Sequence, residues 1–154
     1  MSFINQPNIY YEEVFIREAN ETDSAVLAML IAERGFDYPT EISFVRERLA
    51  ELLRAGDCIL VAIHGTQVIG MALLHRTYFL HRHPDGRISS LVVSESFRGN
   101  GIGKLLLTEA EQVFRKWGCG RIEVTSGEKR QGAHKFYLRE GFTEQPKRFV
   151  KNLW

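Results

Sequence analysis

Cysteine is scarce. Cys58 and Cys119 are the only two in 154 residues, and neither has CxxC or Cys/His zinc spacing around it. That excludes a disulfide framework and a zinc module, and both thiols are expected to be free and buried, as in a reducing cytoplasm. Long apolar runs are also missing: nothing approaches the ~18 residues of a membrane span, and MSFINQPNIYYEE lacks the basic and then apolar order of a secretory leader. A soluble cytoplasmic protein is expected. Charge of one sign is lacking as well, with 20 basic against 19 acidic residues and a net charge of +1. Such a balance offers no broad reason to bind nucleic acid or an anionic membrane, although a local basic patch can still hold a small polyanion. No repeat, low-complexity tract or interdomain linker breaks the chain, so residues 1–154 are read as one domain. What is present is ordinary globular composition, 44% apolar and 25% charged.

Periodicity divides the chain into strands and helices. IYYEEVFIR, residues 9–17, suits a first strand. Asn20, Thr22 and Asp23 offer N-caps for SAVLAMLIAERG, in which Val26, Leu27, Leu30 and Ile31 share a helical face and Gly35 supplies a stop. After the loop GFDYP, Thr40 is placed to cap a second helix, with Val45, Leu49, Leu52 and Leu53 as its stripe and Gly56 at its end. CILVAIH, Gly65-Thr66 and QVIGMALLHR form a hairpin. The stretch TYFLHRHPDGRISSLVVS is divided at HPDG into a strand, a turn and a strand ending at Val93. Ile102, Leu105, Leu106, Ala110, Val113, Phe114 and Trp117 then define an amphipathic helix stopped by Gly118 and Gly120. RIEVTS reads as a strand, QGAHKFYLREG as a short helix, and RFVKNL beyond Pro146 as a last strand. The order is β, α, α, three or four β, α, β, α, β. It describes an α/β protein with a mixed sheet, since the unit from Ser90 to Ser126 requires a parallel right-handed crossover.

FRGNGIGK, residues 97–104, places three glycines just ahead of the amphipathic helix. Its spacing is not that of a P-loop, because Arg98 stands five residues before Gly103 and Leu105 follows Lys104. It is not a dinucleotide fingerprint either: the last glycine would fall on Lys104 or Leu106. What remains is an apolar strand, a glycine turn and a helix start with unpaired N–H groups. Such a start can hold a phosphate or pyrophosphate, with Arg98 and Lys104 bracketing it. A tight turn without a ligand is the other reading of the spacing.

Arg98-Gly-Asn-Gly-Ile-Gly103 resembles the R/Q-x-x-G-x-G/A signature of the GCN5-related N-acetyltransferases, and AHKFYLREGF, residues 133–142, resembles that family's second conserved segment. The element order also suits the family, so the resemblance spans essentially the whole chain. It implies the GNAT fold, a mostly antiparallel mixed sheet with a central splayed parallel pair and about four helices on its faces. It also implies acetyl-CoA as co-substrate. The pyrophosphate would lie on Arg98, Gly99, Asn100, Gly101, Ile102, Gly103 and Lys104, and the pantetheine beside Leu91, Val92 and Val93, with further contacts from Ser126, Ala133 and Phe136. Tyr137 is implied as the general acid, because a phenol of pKa near ~10 is protonated at neutral pH and can protonate a departing thiolate.

The base stays open. An alkylamine of pKa ~10.4 is only about 0.04% neutral at pH 7, so it needs help. Many relatives carry a glutamate on the strand before the pyrophosphate loop, where this chain has Ser89 and Ser90. His75, His81 and His83 are candidates, the last two sharing a face if their strand continues. His-x-His with Asp85 can ligate a metal, but two histidines make a weak signal that a solvated strand end accounts for better, and no metal is assigned. Gly127 replaces an asparagine that contacts the cofactor in relatives. Glu123 either lines the acceptor side or is solvated.

Within the family, KR-x-x-AH-x-FYLREG-F and the closing RF-x-K-x-L resemble the aminoalkylphosphonate N-acetyltransferases. That subgroup uses a divalent metal, has a similar histidine-rich segment, and shows a glutamate at the position of Ser90. The substrate class carried over is a small primary amine, which a pocket lined by Phe36, Tyr38 and Phe79 would favour. Glu33, Asp37, Glu41 and Glu47 hint at a cationic acceptor. A protein lysine or N-terminal acetyltransferase and a non-catalytic acyl-CoA sensor are the alternatives. Direct attack is expected, since neither cysteine falls in the motifs. Dimers are common in the family, and FVKNLW is placed to pair across such an interface.

Overall fold

The computed structural model describes residues 13–33, 41–125, 131–145 and 147–154. They form two compact units, one up to Val124 and one from Thr125 onward. In the first, the order is β1 (Val14–Glu18), α1 (Ser24–Glu33), α2 (Ile42–Arg54), β2 (Cys58–His64), β3 (Gln67–Thr77), β4 (Asp85–Val93), α3 (Ile102–Lys116) and β5 (Arg121–Val124). The second holds α4 (Gln131–Arg139).

The five strands lie in the order of the chain. Neighbours are antiparallel except β4 and β5, which are parallel and joined through α3. A parallel neighbour needs a crossover, and α3 is that crossover. The hairpin between β2 and β3 pairs His64 with Gln67 across Gly65-Thr66. A positive φ of 63° at Gly65 supplies the conformation that so tight a connection demands.

Two layers of helix cover the sheet. On one face, Leu27, Ala28 and Leu30 of α1 and Val45 and Leu49 of α2 are buried with Ile59, Val61, Ile63, Val68, Met71 and Val92. Alternate strand residues turn the other way, where Gly70 and Gly86 leave room for α3. Ile102, Leu106 and Phe114 fill that room and are almost fully buried.

Before α1, Asn20 caps a short 3₁₀ turn: its side chain accepts from the Thr22 N–H, and Asp23 accepts from the Asn20 N–H at 2.9 Å. The Asn20 side chain also accepts from the Asp23 backbone N–H, and this reciprocal pair between Asn20 and Asp23 makes a capping box. Asp23 is also held by Arg17 at 2.8 and 2.9 Å, so β1 and the start of α1 are tied by charge as well as by packing.

Several expectations change. The strand expected after Thr77 does not form: β3 runs on to Thr77, and residues 78–84 are a loop. Pro84 O accepts from the Gly120 N–H at 2.9 Å, and the Cβ of His83 lies 3.2 Å from where a side chain at Gly120 would begin. This segment is therefore fixed by the turn after α3 and not by a strand partner. Lys147–Trp154 carry no strand, because no described strand pairs with them. Cys58 is buried, whereas Cys119, in the turn before β5, is half-buried. Residues 9–12, Gly35, the loop GFDYP, Thr40, Ser126, Gly127 and Pro146 lie outside the described residues.

Candidate active site

β4 is where the sheet opens. Its parallel ladder with β5 runs from Asp85 opposite Arg121 to Ile88 opposite Val124 and stops there. Toward β3, Leu74 faces Ile88 but Leu73 faces Ser90, so Ser89 is the extra residue of a bulge. A bulge bends its strand and re-aims side chains. From Ser90 to Val93, β4 keeps its β3 partner and, among the described residues, has none on the β5 side. Leu91 and Val93 are half-buried, while the Val92 side chain points into the core beneath α1 and α2.

The strand leads into the glycine turn. Ser94 is followed by one 3₁₀ turn, Glu95–Phe97, and by Arg98 in an extended conformation. Gly99 and Gly101 both have positive φ, 79° and 75°, which side chains with a Cβ adopt only at a cost. Asn100 braces the turn, its Nδ2 donating to the carbonyls of Phe97 and Arg98 at 3.1 and 3.2 Å. Arg98 folds back, and its Nε donates to Val93 O at 3.2 Å. Gly101 is the N-cap of α3 and has no side chain to satisfy the helix start. The first helical bond runs from the Leu105 N–H to Gly101 O, so among the described residues the N–H groups of Ile102, Gly103 and Lys104 have no carbonyl partner. Lys104 is exposed beside them. Three free donors at the positive end of a 15-residue helix fit a bound pyrophosphate.

A contact that the sequence does not betray holds this turn from the other helix layer. Glu33, at the end of α1, accepts from the Glu95 N–H at 3.1 Å and from Ser94 Oγ at 3.4 Å. It is therefore a structural acceptor, and Glu41 and Glu47 are exposed. Asp37 lies outside the described residues, as do Phe36 and Tyr38. Phe79 stacks under the Arg82 guanidinium at 3.7 Å.

The histidines separate. His81 and His83 are exposed in the loop, and among the described residues no group of three His, Cys, Asp or Glu is placed to hold a metal ion. Asp85, which a metal would need, is buried and engaged by Arg82 at 2.5 Å and by Arg121 at 3.0 Å. These residues do not fit a metal centre. Hydrogen bonds from Arg82, and then from Arg121, hold the Asp85 carboxyl below the usual carboxylate range against the opposing effect of burial. Glu123 pairs with Arg87 at 2.9 Å. His75 touches two groups: Nε2 lies 2.6 Å from Ser89 Oγ and Nδ1 lies 3.1 Å from Asp57 Oδ1. Burial, with Glu18 nearby, pushes the Cys58 thiol up to about 12, which removes it as a nucleophile at neutral pH. Burial also raises that of Cys119.

In the second unit, α4 carries Ala133, Phe136 and Tyr137. The Tyr137 ring sits between Phe136 and Phe142, at centroid distances of 5.3 and 5.5 Å with edge-on geometry. The Phe142 N–H closes back on Tyr137 O at 3.0 Å, and Gly141, with φ 92°, makes that return possible. Ser126 lies outside the described residues.

The model of the acetyltransferase (GNAT) family matches residues 24–142. The chain belongs to that family. It is an acyltransferase whose co-substrate is acetyl-CoA, as in GNAT enzymes generally. It is 36% identical over 143 residues to the aminoalkylphosphonate N-acetyltransferase of Salmonella typhimurium, covering 90% of both chains. Among solved structures, an acetyltransferase of Trypanosoma brucei superposes with a TM-score of 0.78 at 25% identity, covering 91% of this chain and 99% of that one. An aminoglycoside N-acetyltransferase in complex with CoA superposes with a TM-score of 0.80 at 19% identity, covering 90% of this chain and 93% of that one, and shares the fold. Among the described residues of this GNAT chain, no helix is long and apolar enough to cross a membrane.

Proposed function

We propose that residues 1–154 act as a single cytoplasmic domain that moves the acetyl group of acetyl-CoA to the primary amine of a small molecule by direct attack. The observation that carries this reading is the end of the β4–β5 ladder at Ile88 and Val124, immediately before a strand edge that leads into the three free N–H groups of α3. The edge Leu91 to Val93 offers pantetheine an extended backbone partner, and the glycine turn offers its pyrophosphate donors without intervening Cβ atoms. The Arg98 guanidinium, anchored through Nε, and Lys104 add positive charge. Ser126, Ala133 and Phe136 complete the cofactor contacts in this reading.

Bound acetyl-CoA supplies a thioester carbon open to attack. The protein must orient it, polarise its carbonyl with a backbone donor and protonate the leaving thiolate. Tyr137 is the acid: a phenol is protonated at neutral pH, and two flanking rings fix its direction. The buried Cys58 thiol supports transfer without a cysteine-bound intermediate. The substrate class rests on likeness to the Salmonella protein, whose name specifies an aminoalkylphosphonate. The acceptor assigned is a small primary amine, with an aminoalkylphosphonate the first to try.

Thiol release from acetyl-CoA, measured against aminoalkylphosphonates, polyamines, aminoglycosides, amino acids and a lysine peptide, tests this directly. Release with one small-amine class is expected, and Tyr137→Phe should lower kcat about 10²-fold or more. Stabilisation of the protein by CoA without release by any small amine would overturn it.

A further inference from the structure

The strand that carries the candidate site holds a serine, Ser89, and the fold brings a base to it from a neighbouring strand. Ser89 is the unpaired residue of the β4 bulge, exposed, and adjacent to the last β4–β5 pair. Its Oγ lies 2.6 Å from His75 Nε2 on β3. The other ring nitrogen, Nδ1, lies 3.1 Å from Oδ1 of Asp57, in the turn between α2 and β2. Three separate elements thus contribute to one line of contacts.

The contacts set the tautomer. An ionised carboxylate only accepts, so Nδ1 carries the ring proton and donates it to Asp57, which leaves Nε2 to accept from the Ser89 hydroxyl. The charged groups around the imidazole are few. Asp57 touches it from the α2–β2 turn, Arg87 lies opposite it on β4, and Glu123 on β5 pairs with Arg87 at 2.9 Å. Arg87 is therefore offset by Glu123, and the aspartate is the charge in direct contact.

We propose that Asp57, His75 and Ser89 form a proton relay that deprotonates the acceptor amine, a role resting on the acetyltransferase reading above. As the amine nitrogen bonds to the thioester carbon, the proton it sheds passes to Ser89 Oγ while the hydroxyl proton of Ser89 passes to His75 Nε2. Asp57 holds the imidazolium that results. The carbon–sulfur bond then breaks, the thiolate takes the Tyr137 proton, and the imidazolium returns its own proton through solvent to the tyrosinate. No covalent intermediate forms on the protein. Ser89 is the catalytic residue of the relay, and His75 and Asp57 act through it.

The test measures kcat and KM against pH, using the amine that wild type accepts, for wild type, Asp57→Asn, His75→Gln, Ser89→Ala and Ser89→Thr. Ser89→Ala and His75→Gln should each lower kcat about 10²-fold, with the KM for acetyl-CoA changed by less than about threefold, and both should lose the acid limb of the profile. Ser89→Thr keeps a hydroxyl and should restore most of the rate. Asp57→Asn should displace the acid limb, and the double variant His75→Gln/Ser89→Ala should be little worse than either single change. Unchanged melting temperatures identify folded variants. An active wild type with Ser89→Ala and His75→Gln within about threefold of it, acid limb intact, overturns the relay alone. A wild type that releases thiol with no amine overturns the acetyltransferase reading, and the relay with it.

Discussion

The ring of Phe114 occupies the space that a side chain on Gly86 would take. A Cβ built on Gly86 would lie 2.4 Å from Cδ1 and 2.6 Å from Cγ of that ring. Phe114 is only 2% exposed, so the ring has nowhere to go. The glycine of HPDG, which the sequence offers as a turn residue, is the second residue of β4 and the seat of the largest fully buried side chain among the described residues.

Gly86→Ala should therefore destabilise the protein by about 1–3 kcal/mol, through overpacking rather than a cavity. Denaturant melts measure it. Adding Phe114→Leu should recover part of the loss, whereas at Gly132, which has nothing within 4 Å of its Cβ position, alanine should cause no overpacking loss.

Glu33 ties α1 to the start of the glycine turn through the Glu95 N–H and Ser94 Oγ. Both carboxylate residues are exposed, so water can replace part of the contact. Glu33→Ala should cost about 0.5–1 kcal/mol. Amide exchange at Glu95 should quicken more than at Leu106, in the buried middle of α3. Equal exchange at Glu95 in both proteins would count against the tie.

The Asp85 carboxyl titrates below the ordinary range because Arg82 and Arg121 bond its ionised form. A depressed carboxyl stabilises the fold above its unfolded pKa, and that stabilisation is lost as pH falls through the lower folded value. Asp85→Asn should lower the melting temperature at pH 7, and the deficit should narrow below about pH 4, where the unfolded carboxylate is already taking up protons. A deficit that stays constant from pH 7 to pH 3 would show that the ion pairs contribute nothing. Arg17 depresses Asp23 in the same way, so wild type itself should lose stability over this acid range.

Local pattern made much of this protein legible. Two β-rich runs and the Gly65-Thr66 connection mark β2 and β3, the apolar recurrence from Ile102 to Trp117 marks α3, and glycine spacing marks the turn between β4 and α3. Those signals lie within one element, because propensity, turn chemistry and helix-end donors depend on residues close in the chain. The two motifs, together with the order of elements, also carry the family resemblance.

Tertiary structure decided what depends on distant partners. His-x-His at residues 81 and 83 reads as strand by alternation, yet among the described residues no strand pairs with it, and the Pro84–Gly120 contact fixes it as loop. RFVKNL has the composition of a strand, but among the described residues no strand pairs with it. Asp57 follows the helix-ending Gly56, and no local pattern singles it out. Its contact with His75, and that of His75 with Ser89, exists because the β2–β3 register and the bulge at Ser89 bring three elements together. The sequence by itself determined most of the helices and strands and the glycine turn at the start of α3. Register, bulge and layer packing, which arise only when the sheet assembles, decided which polar groups meet across β3, β4 and the turn before β2.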